Sequence, residues 1–252
     1  MSQRFSAVGR SEVGLYRSGN EDSALINGAL IAVADGMGGH AGGEVASKVA
    51  IQTLAEVLPL LNNDEMDPES LEDFLLNALL EIDSEIRETA NADDRLSGMG
   101  TTLTALALYR EKIYVLHIGD SRAYRLRGKE FTQLTKDHSV VQELIDSGAI
   151  TEAEAPFHPQ RSVLTNVLMG EGNITPLLIS YDVKVGDKFL LCSDGLNNVL
   201  SNSEIHEALN ASDPISTLIE RTYSGGAPDN VTVIVAEVGA TDSATQFFGA
   251  AK

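Results

Sequence analysis

Two hydrophobic rhythms alternate along this chain. Leu30-Ile31-Ala32-Val33-Ala34 is an unbroken apolar run, the pattern of a buried strand, and Asp35-Gly36 ends it as a turn. Before it, positions 5–13 alternate as a first strand, and Ser23-Ala24-Leu25-Ile26 forms a second. Asn27-Gly28 between two apolar runs predicts that the second and third strands pair as an antiparallel hairpin. From Glu44 the period lengthens. Ala46, Val49, Ala50, Leu54, Val57, Leu58 and Leu61 fall on one helical face. After a polar break over 62–68, Leu71, Phe74, Leu75, Ala78, Leu79, Ile82 and Ile86 follow at spacings of three and four. Each helix pairs an apolar stripe with an acidic face, so each is expected to cover one side of a sheet.

A run of strands comes next, over 103–109, 113–118, 123–126 and 131–134, joined by the turn-like Arg110-Glu111-Lys112 and Arg127-Gly128-Lys129. Strands in series after two consecutive helices predict an α+β fold with segregated layers rather than βαβ units. Residues 137–168 break the rhythm. A short helix at Val140, Val141, Leu144 and Ile145 stops at Ser147-Gly148, a second starts at 151–155, and Phe157-His158-Pro159-Gln160-Arg161 is irregular. This stretch reads as a flap inserted into one domain over 1–238. Strands at 177–183 and 188–192, helices at 203–209 and 214–223, and a strand at 231–238 complete that domain. Residues 239–252 are small and polar apart from Phe247-Phe248 and are expected to form a mobile tail.

Composition narrows the picture. With 252 residues, 43% of them hydrophobic, the chain can bury a full core. Its formal net charge of −19 argues against nucleic acid or an anionic membrane as the main partner. No apolar run approaches the ~18 residues of a membrane span, and no charged-then-apolar leader opens the chain. The single Cys192 cannot form an intramolecular disulfide, so a soluble, cytoplasmic protein is expected.

The candidate chemistry sits where strands end. Asp35-Gly36 recurs as Asp194-Gly195 after the apolar run 189–192, and reversed as Gly119-Asp120 after 113–118. Asp229 immediately precedes the closing strand, and Glu21-Asp22 precedes the second. One Asp-Gly is ordinary turn chemistry. Five strand-end carboxylate sites that converge would make an oxygen-rich cluster, the ligand set of hard divalent ions. Gly36, with no side chain to shield it, can lend a bare carbonyl as a further ligand. Carboxylates of this kind can fix two metal ions about 3.5–4 Å apart, with a water between them that is ionised for in-line attack on phosphorus. Arg17 offers a planar fork that matches two phosphate oxygens, and His40 could protonate the leaving oxygen.

Other phosphoryl chemistries lack their residues. No Arg closely follows Cys192, which reads as a strand core residue. Met37 stands where a phospho-aspartate mechanism needs a second Asp. There is no P-loop, and no H-x-H or H-E-x-x-H pair for zinc. Metal-assisted phosphoester hydrolysis remains.

Six motifs in order, Arg17-Ser18-x-Asn20-Glu21-Asp22, Val33-Ala34-Asp35-Gly36-Met37-Gly38-Gly39-His40, Gly100-Thr101-Thr102, His117-Ile118-Gly119-Asp120-Ser121-Arg122, Cys192-Ser193-Asp194-Gly195-Leu196 and Asp229-Asn230-Val231-Thr232, resemble the PP2C (PPM) family of metal-dependent protein Ser/Thr phosphatases. The compact length and Asp137-His138-Ser139 look like its bacterial single-domain branch. The resemblance covers about 5–238 and implies a four-layer α-β-β-α sandwich of two antiparallel sheets flanked by helices. It implies hydrolysis of phosphoserine and phosphothreonine in proteins with Mn²⁺ or Mg²⁺, two ions in the centre and a third beside them. By position Asp35 bridges the pair, the Gly36 carbonyl binds one ion, and Asp194 and Asp229 complete the set. Asp120 with Asp194, and Ser162 as an extra ligand, hold the third ion. Glu21 and Asp22 orient bound waters, Arg17 holds the phosphate, and His40 is the general acid. Expected partners are phosphoproteins and the Ser/Thr kinases acting on them, with the chain a monomer. The competing expectations are a phosphatase of small phosphoesters, a regulatory binding module with metal as scaffold, and a structural calcium binder.

Overall fold

The structure, a computed structural model, describes residues 3–38, 42–63, 65–175 and 177–252. The first part of the chain forms β1 (Arg4–Glu12), β2 (Asp22–Ile26), β3 (Leu30–Met37), α1 (Gly42–Ala55), α2 (Leu58–Leu61) and α3 (Pro68–Ala92). The strand run follows as β4 (Gly100–Thr101), β5 (Leu103–Tyr109), β6 (Lys112–Ile118), β7 (Arg122–Arg127) and β8 (Glu130–Gln133). After α4 (Val140–Asp146) come β9 (Leu177–Asp182), β10 (Lys188–Cys192), α5 (Asp194–Asn197), α6 (Asn202–Leu209), α7 (Pro214–Ser224), β11 (Val231–Gly239) and β12 (Gln246–Gly249).

Period-two alternation makes the layers. Along β3, Leu30, Ala32 and Ala34 point to a core shared with α1 and α3, while Ile31 and Val33 point to a second core between the sheets. Along β10, Phe189 and Leu191 enter that inter-sheet core, and Leu190 and Cys192 enter a third core under α6 and α7. A strand apolar on both faces must be covered on both. The result is the expected four-layer α-β-β-α sandwich. One sheet runs β1-β11-β10-β7-β8. The other runs β12-β2-β3-β5-β6-β9, with β4 paired to β3. The paired strands are antiparallel throughout, and the Asn27-Gly28 hairpin aligns Asp22 opposite Asp35.

Three expectations are corrected. The helical face read through Leu61 breaks into α1 and α2, because Pro59 has no N–H for a helix interior but fits the first turn of α2. The helix expected from 151 is a turn followed by a single 3₁₀ turn, Ala155–Phe157. The C-terminal segment is not a mobile tail. Its β12 pairs with β2, Phe247 packs against the helix-side core, and Phe248 packs against the inter-sheet core. Polar composition hid a short edge strand whose anchor is two aromatic residues on opposite faces. Phe248→Ala should lower the unfolding free energy in urea by about 1–3 kcal/mol, less than the ~3–5 of a fully buried Phe. An unchanged midpoint would mean that β12 adds nothing. No helix among the described residues is long and apolar enough to cross a membrane.

Candidate active site

The strand ends of both sheets meet at one cavity of 290 Å³. It is lined by Arg17, Glu21, Asp35, Gly36, Asp120, Ser162, Asp194 and Asp229 among others. Asp35 and Gly36 come from the end of β3, Asp120 from the β6–β7 turn, Asp194 from the first turn of α5, and Asp229 from the residue pair before β11. A larger cavity of 560 Å³ lies behind β1 and β11 beside the start of α7, lined by apolar residues such as Val8, Val235 and Val238 together with Lys188, Asp213 and Glu237. Polar groups that could act together gather in the smaller one.

Backbone and hydroxyl contacts hold the acids in place. The Asp35 amide donates to Thr102 Oγ1 at 3.0 Å, and its carbonyl accepts from the Thr102 amide and the Thr101 hydroxyl, each at 2.9 Å. Thr102 in turn shares a hydrogen bond with Ser121 Oγ at 2.8 Å. Asn198 Nδ2 donates to Asp194 Oδ2 at 3.0 Å, one helical turn on. Asn230 Oδ1 accepts from the Glu21 amide at 2.8 Å, while its Nδ2 donates to the Val13 and Gly19 carbonyls. Gly36 is required by a close approach. A Cβ there would lie 2.0 Å from the Gly43 carbonyl oxygen, so β3 and the start of α1 touch backbone to backbone.

Not every expected residue reaches the cavity. Asp22 lies beneath it, fully buried, with Oδ2 accepting from Ser193 Oγ at 2.8 Å and Oδ1 without a partner. Arg17 is at the rim and donates to Asp229 Oδ2 at 2.7 Å, with Glu21 at 3.7 Å. Ser162 arrives from the 137–168 segment, exposed. His40 lies outside the described residues. The residues that sequence reasoning left without a role are the supporting ones: Thr101, Thr102, Ser121, Ser193, Asn198 and Asn230. All but Asn198 stand inside the six quoted motifs, and Asn198 follows Asp194 by four residues.

The electrostatics are those of too many carboxylates in one place. Burial pushes Asp22 up to about 7, while the nearby Thr232 and Ser193 hydroxyls pull it down. Burial, and then the charges of Asp22 and Asp194, holds Asp35 well above the usual carboxylate range. Burial with the Asp194 charge raises Asp120 to about 8, and burial with the Asp229 charge raises Asp194 to about 6. Protons or cations must offset such a cluster. The unpartnered Asp22 oxygen and the all-oxygen donor set fit hard divalent ions. Among the described residues no three His, Cys, Asp or Glu side chains form a ready-made cage. The donors stand around the cavity instead, an arrangement that suits ions which keep several waters and take one or two carboxylates each.

Not all buried polar groups nearby belong to this cluster. His117 is buried with Nε2 on the Lys136 carbonyl at 3.0 Å and Nδ1 on Thr104 Oγ1 at 2.9 Å. Burial, with His138 beside it, pushes it down to about 3, so it is a neutral structural group.

Comparison with known proteins agrees with this geometry. The family model described as protein phosphatase 2C matches residues 20–229. The Mycobacterium tuberculosis serine/threonine protein phosphatase PstP is 45% identical over 239 residues, covering 93% of this chain and 45% of that protein. This chain therefore spans about half the length of that relative. The Listeria monocytogenes serine/threonine phosphatase stp is 35% identical over 241 residues, 90% of this chain and 94% of that one. The crystal structure of the PstP catalytic domain in complex with two manganese ions superposes with a TM-score of 0.84 at 40% identity, over 95% of this chain and all of that one. Sheet order, a cavity of strand-end carboxylates and a family match spanning the strands that supply them lead to one assignment: this chain belongs to the protein phosphatase 2C family.

Proposed function

We propose that this chain hydrolyses phosphoserine and phosphothreonine in proteins with Mn²⁺ or Mg²⁺. The observation that carries the reading is the convergence of Asp35, Asp120, Asp194 and Asp229 from both sheets on one cavity, with a guanidinium at its rim. Asp35, the Gly36 carbonyl, Asp194 and Asp229 would hold two ions, and Asp120 with Ser162 a third. When bound, such ions supply an ionised water at neutral pH and offset the charge of the phosphate. The protein's own groups do the rest. Arg17, half-exposed at the rim, orients the phosphate through two N–H donors. Asp22 and Glu21 accept from waters beside the cavity, and the unpartnered Oδ1 of Asp22 leaves an acceptor for that purpose. The leaving group is an alkoxide, a strong base that departs readily only with a proton, and His40 is the proposed donor.

Residues 137–168 act as a flap that shapes access, since Ser162 and Leu164 line the cavity. All proposed site residues come from one chain, so the reading needs no second copy and the chain acts as a monomer. Its phosphoprotein substrates must be supplied by protein Ser/Thr kinases. With one buried cysteine and an acidic surface, it belongs in a reducing cytoplasm.

The test is phosphate release from a phosphothreonine peptide with Mn²⁺ and with EDTA, beside a sugar phosphate. Turnover of the peptide that EDTA abolishes is expected. Preference for the sugar phosphate would replace the substrate class. Mn²⁺ or Ca²⁺ raising the melting temperature without turnover of either substrate would leave a binding module.

A further inference from the structure

Asp83 lies on α3, in the layer beside the cavity, within the stripe Leu75, Leu79, Ile82 and Ile86. It is 2% exposed. A carboxylate buried among apolar residues needs donors, and Asp83 has three. All three are backbone amides of the segment that returns from the flap. Met169 and Gly170 donate to Oδ1 at 3.1 and 2.7 Å, and Gly172 donates to Oδ2 at 2.9 Å. Gly170 has φ +76°, and a Cβ on it would lie 2.6 Å from Cβ of Arg87 and 2.7 Å from that residue's Cα. The flap's exit is thus pressed against the helix backbone, with a buried acid gripping it.

The grip leads into the cavity in two directions. Leu168, just before the clamped amides, is fully buried and exchanges both backbone hydrogen bonds with Thr101, at 2.9 and 3.0 Å. The Thr101 hydroxyl donates to the Asp35 carbonyl at 2.9 Å. In the other direction lie Leu164, bridged to Ser139, and then Ser162, both lining the cavity. At the flap's entrance, Arg122 forms a two-pronged ion pair with Asp137 at 2.7 and 2.9 Å. The flap therefore has a tied neck at both ends. At the exit end the tie is one side chain from a different layer, holding a Gly-Glu-Gly stretch that would otherwise sample many conformations.

We infer that Asp83 is a positioning residue for substrate: by clamping the amides of Met169, Gly170 and Gly172 it sets where Ser162 and Leu164 stand over the acidic cavity, and so how tightly a phosphopeptide is held. This rests on the phosphatase reading above. A small aryl phosphate needs only Arg17 and the strand-end groups Asp35, Asp194 and Asp229, none of which the flap carries. A peptide must also fit beneath the flap, so the two substrates separate the effects. Asp83→Asn removes one acceptor oxygen and turns an N–H₂ against an amide donor, which releases one side of the clamp.

Kinetics with Mn²⁺ on a phosphothreonine peptide and on p-nitrophenyl phosphate test this. For Asp83→Asn the peptide KM should rise on the order of tenfold, as expected when binding elements shift by a fraction of an ångström, with kcat on the aryl phosphate within about twofold. Amide hydrogen exchange should speed up at 168–172 while the core turns of α3 keep their protection. Gly170→Ala pushes the same exit off α3 through its clash with Arg87 while leaving the Asp83 carboxylate in place, and should reproduce the KM split even if Asp83→Asn fails to fold. Equal losses on both substrates, or an unchanged peptide KM in a folded variant, would overturn the inference. If wild type itself fails to turn over the peptide with Mn²⁺, the phosphatase reading falls instead.

Discussion

Asp35→Asn should lower Mn²⁺-dependent turnover of a phosphothreonine peptide by roughly a thousandfold, well beyond the 10–100-fold typical of losing an outer-shell partner. It should also weaken Mn²⁺ binding measured by calorimetry. The carboxylate stands at the end of β3, opposite Asp22 across the strand pair, and the charges of Asp22, Asp194, Asp120 and Asp229 all act on it. The same substitution has a second, opposite consequence. Because Asp35 is held well above the usual carboxylate range, chiefly by burial, replacing it with a neutral amide removes a destabilising charge. In EDTA at pH 8 the variant should melt at a higher temperature than wild type, the trade of stability for function expected at a charged site. A variant with full turnover would remove Asp35 from the chemistry. A variant less stable than wild type in EDTA would show that Asp35 serves the fold instead.

The metal-free protein should lose stability as pH rises, the reverse of the usual behaviour of paired surface acids. The carboxylates of Asp22, Asp120 and Asp194 are raised to about 7, about 8 and about 6, and Asp35 is raised as well. In the unfolded chain they titrate near ~3.9. Between those limits the folded state keeps protons that the unfolded state has released, so stability falls with pH. The contribution is fully present below about pH 4 and is lost as pH passes through the folded values toward 8. In EDTA, the melting temperature should drop on the order of 10 °C between pH 5 and pH 8. Saturating Mn²⁺ should flatten or invert that slope, because ions replace the protons and their binding releases them. A melting temperature in EDTA that is flat or rising over this range would mean that the acids are not crowded as described.

The reach of the sequence can be judged from particular residues. Local rules suffice where the determinant is local. Asn27-Gly28 marks a hairpin, and its loop, closed by paired backbone hydrogen bonds between Asn27 and Leu30, sets Asp22 opposite Asp35. Strand ends were legible because an acid and a glycine interrupt apolar runs. Pro59 was also in plain view, and the helix it breaks was overextended only because the apolar stripe continues past it. The tail was misread for a different reason. A four-residue edge strand has too few positions to show a period, and pairing of Phe247 and Phe248 with β2 is a long-range event. Asp83 left a faint signal, an acid in an apolar stripe, but its partners lie more than eighty residues away.

Periodicity and turn chemistry act over a few residues, so the longer strands, their apolar faces and the acids at their ends could be read from the sequence, while the short β4 and β12 could not. The sequence also determined the family, through motifs kept in order. Only the tertiary structure decided that the acids of two sheets share one cavity, that Asp22 lies beneath it with an oxygen to spare, and that Asp83 clamps the flap. Convergence, burial and the resulting displacement of carboxylate protonation are properties of distances between segments remote in the chain, and no local pattern encodes them.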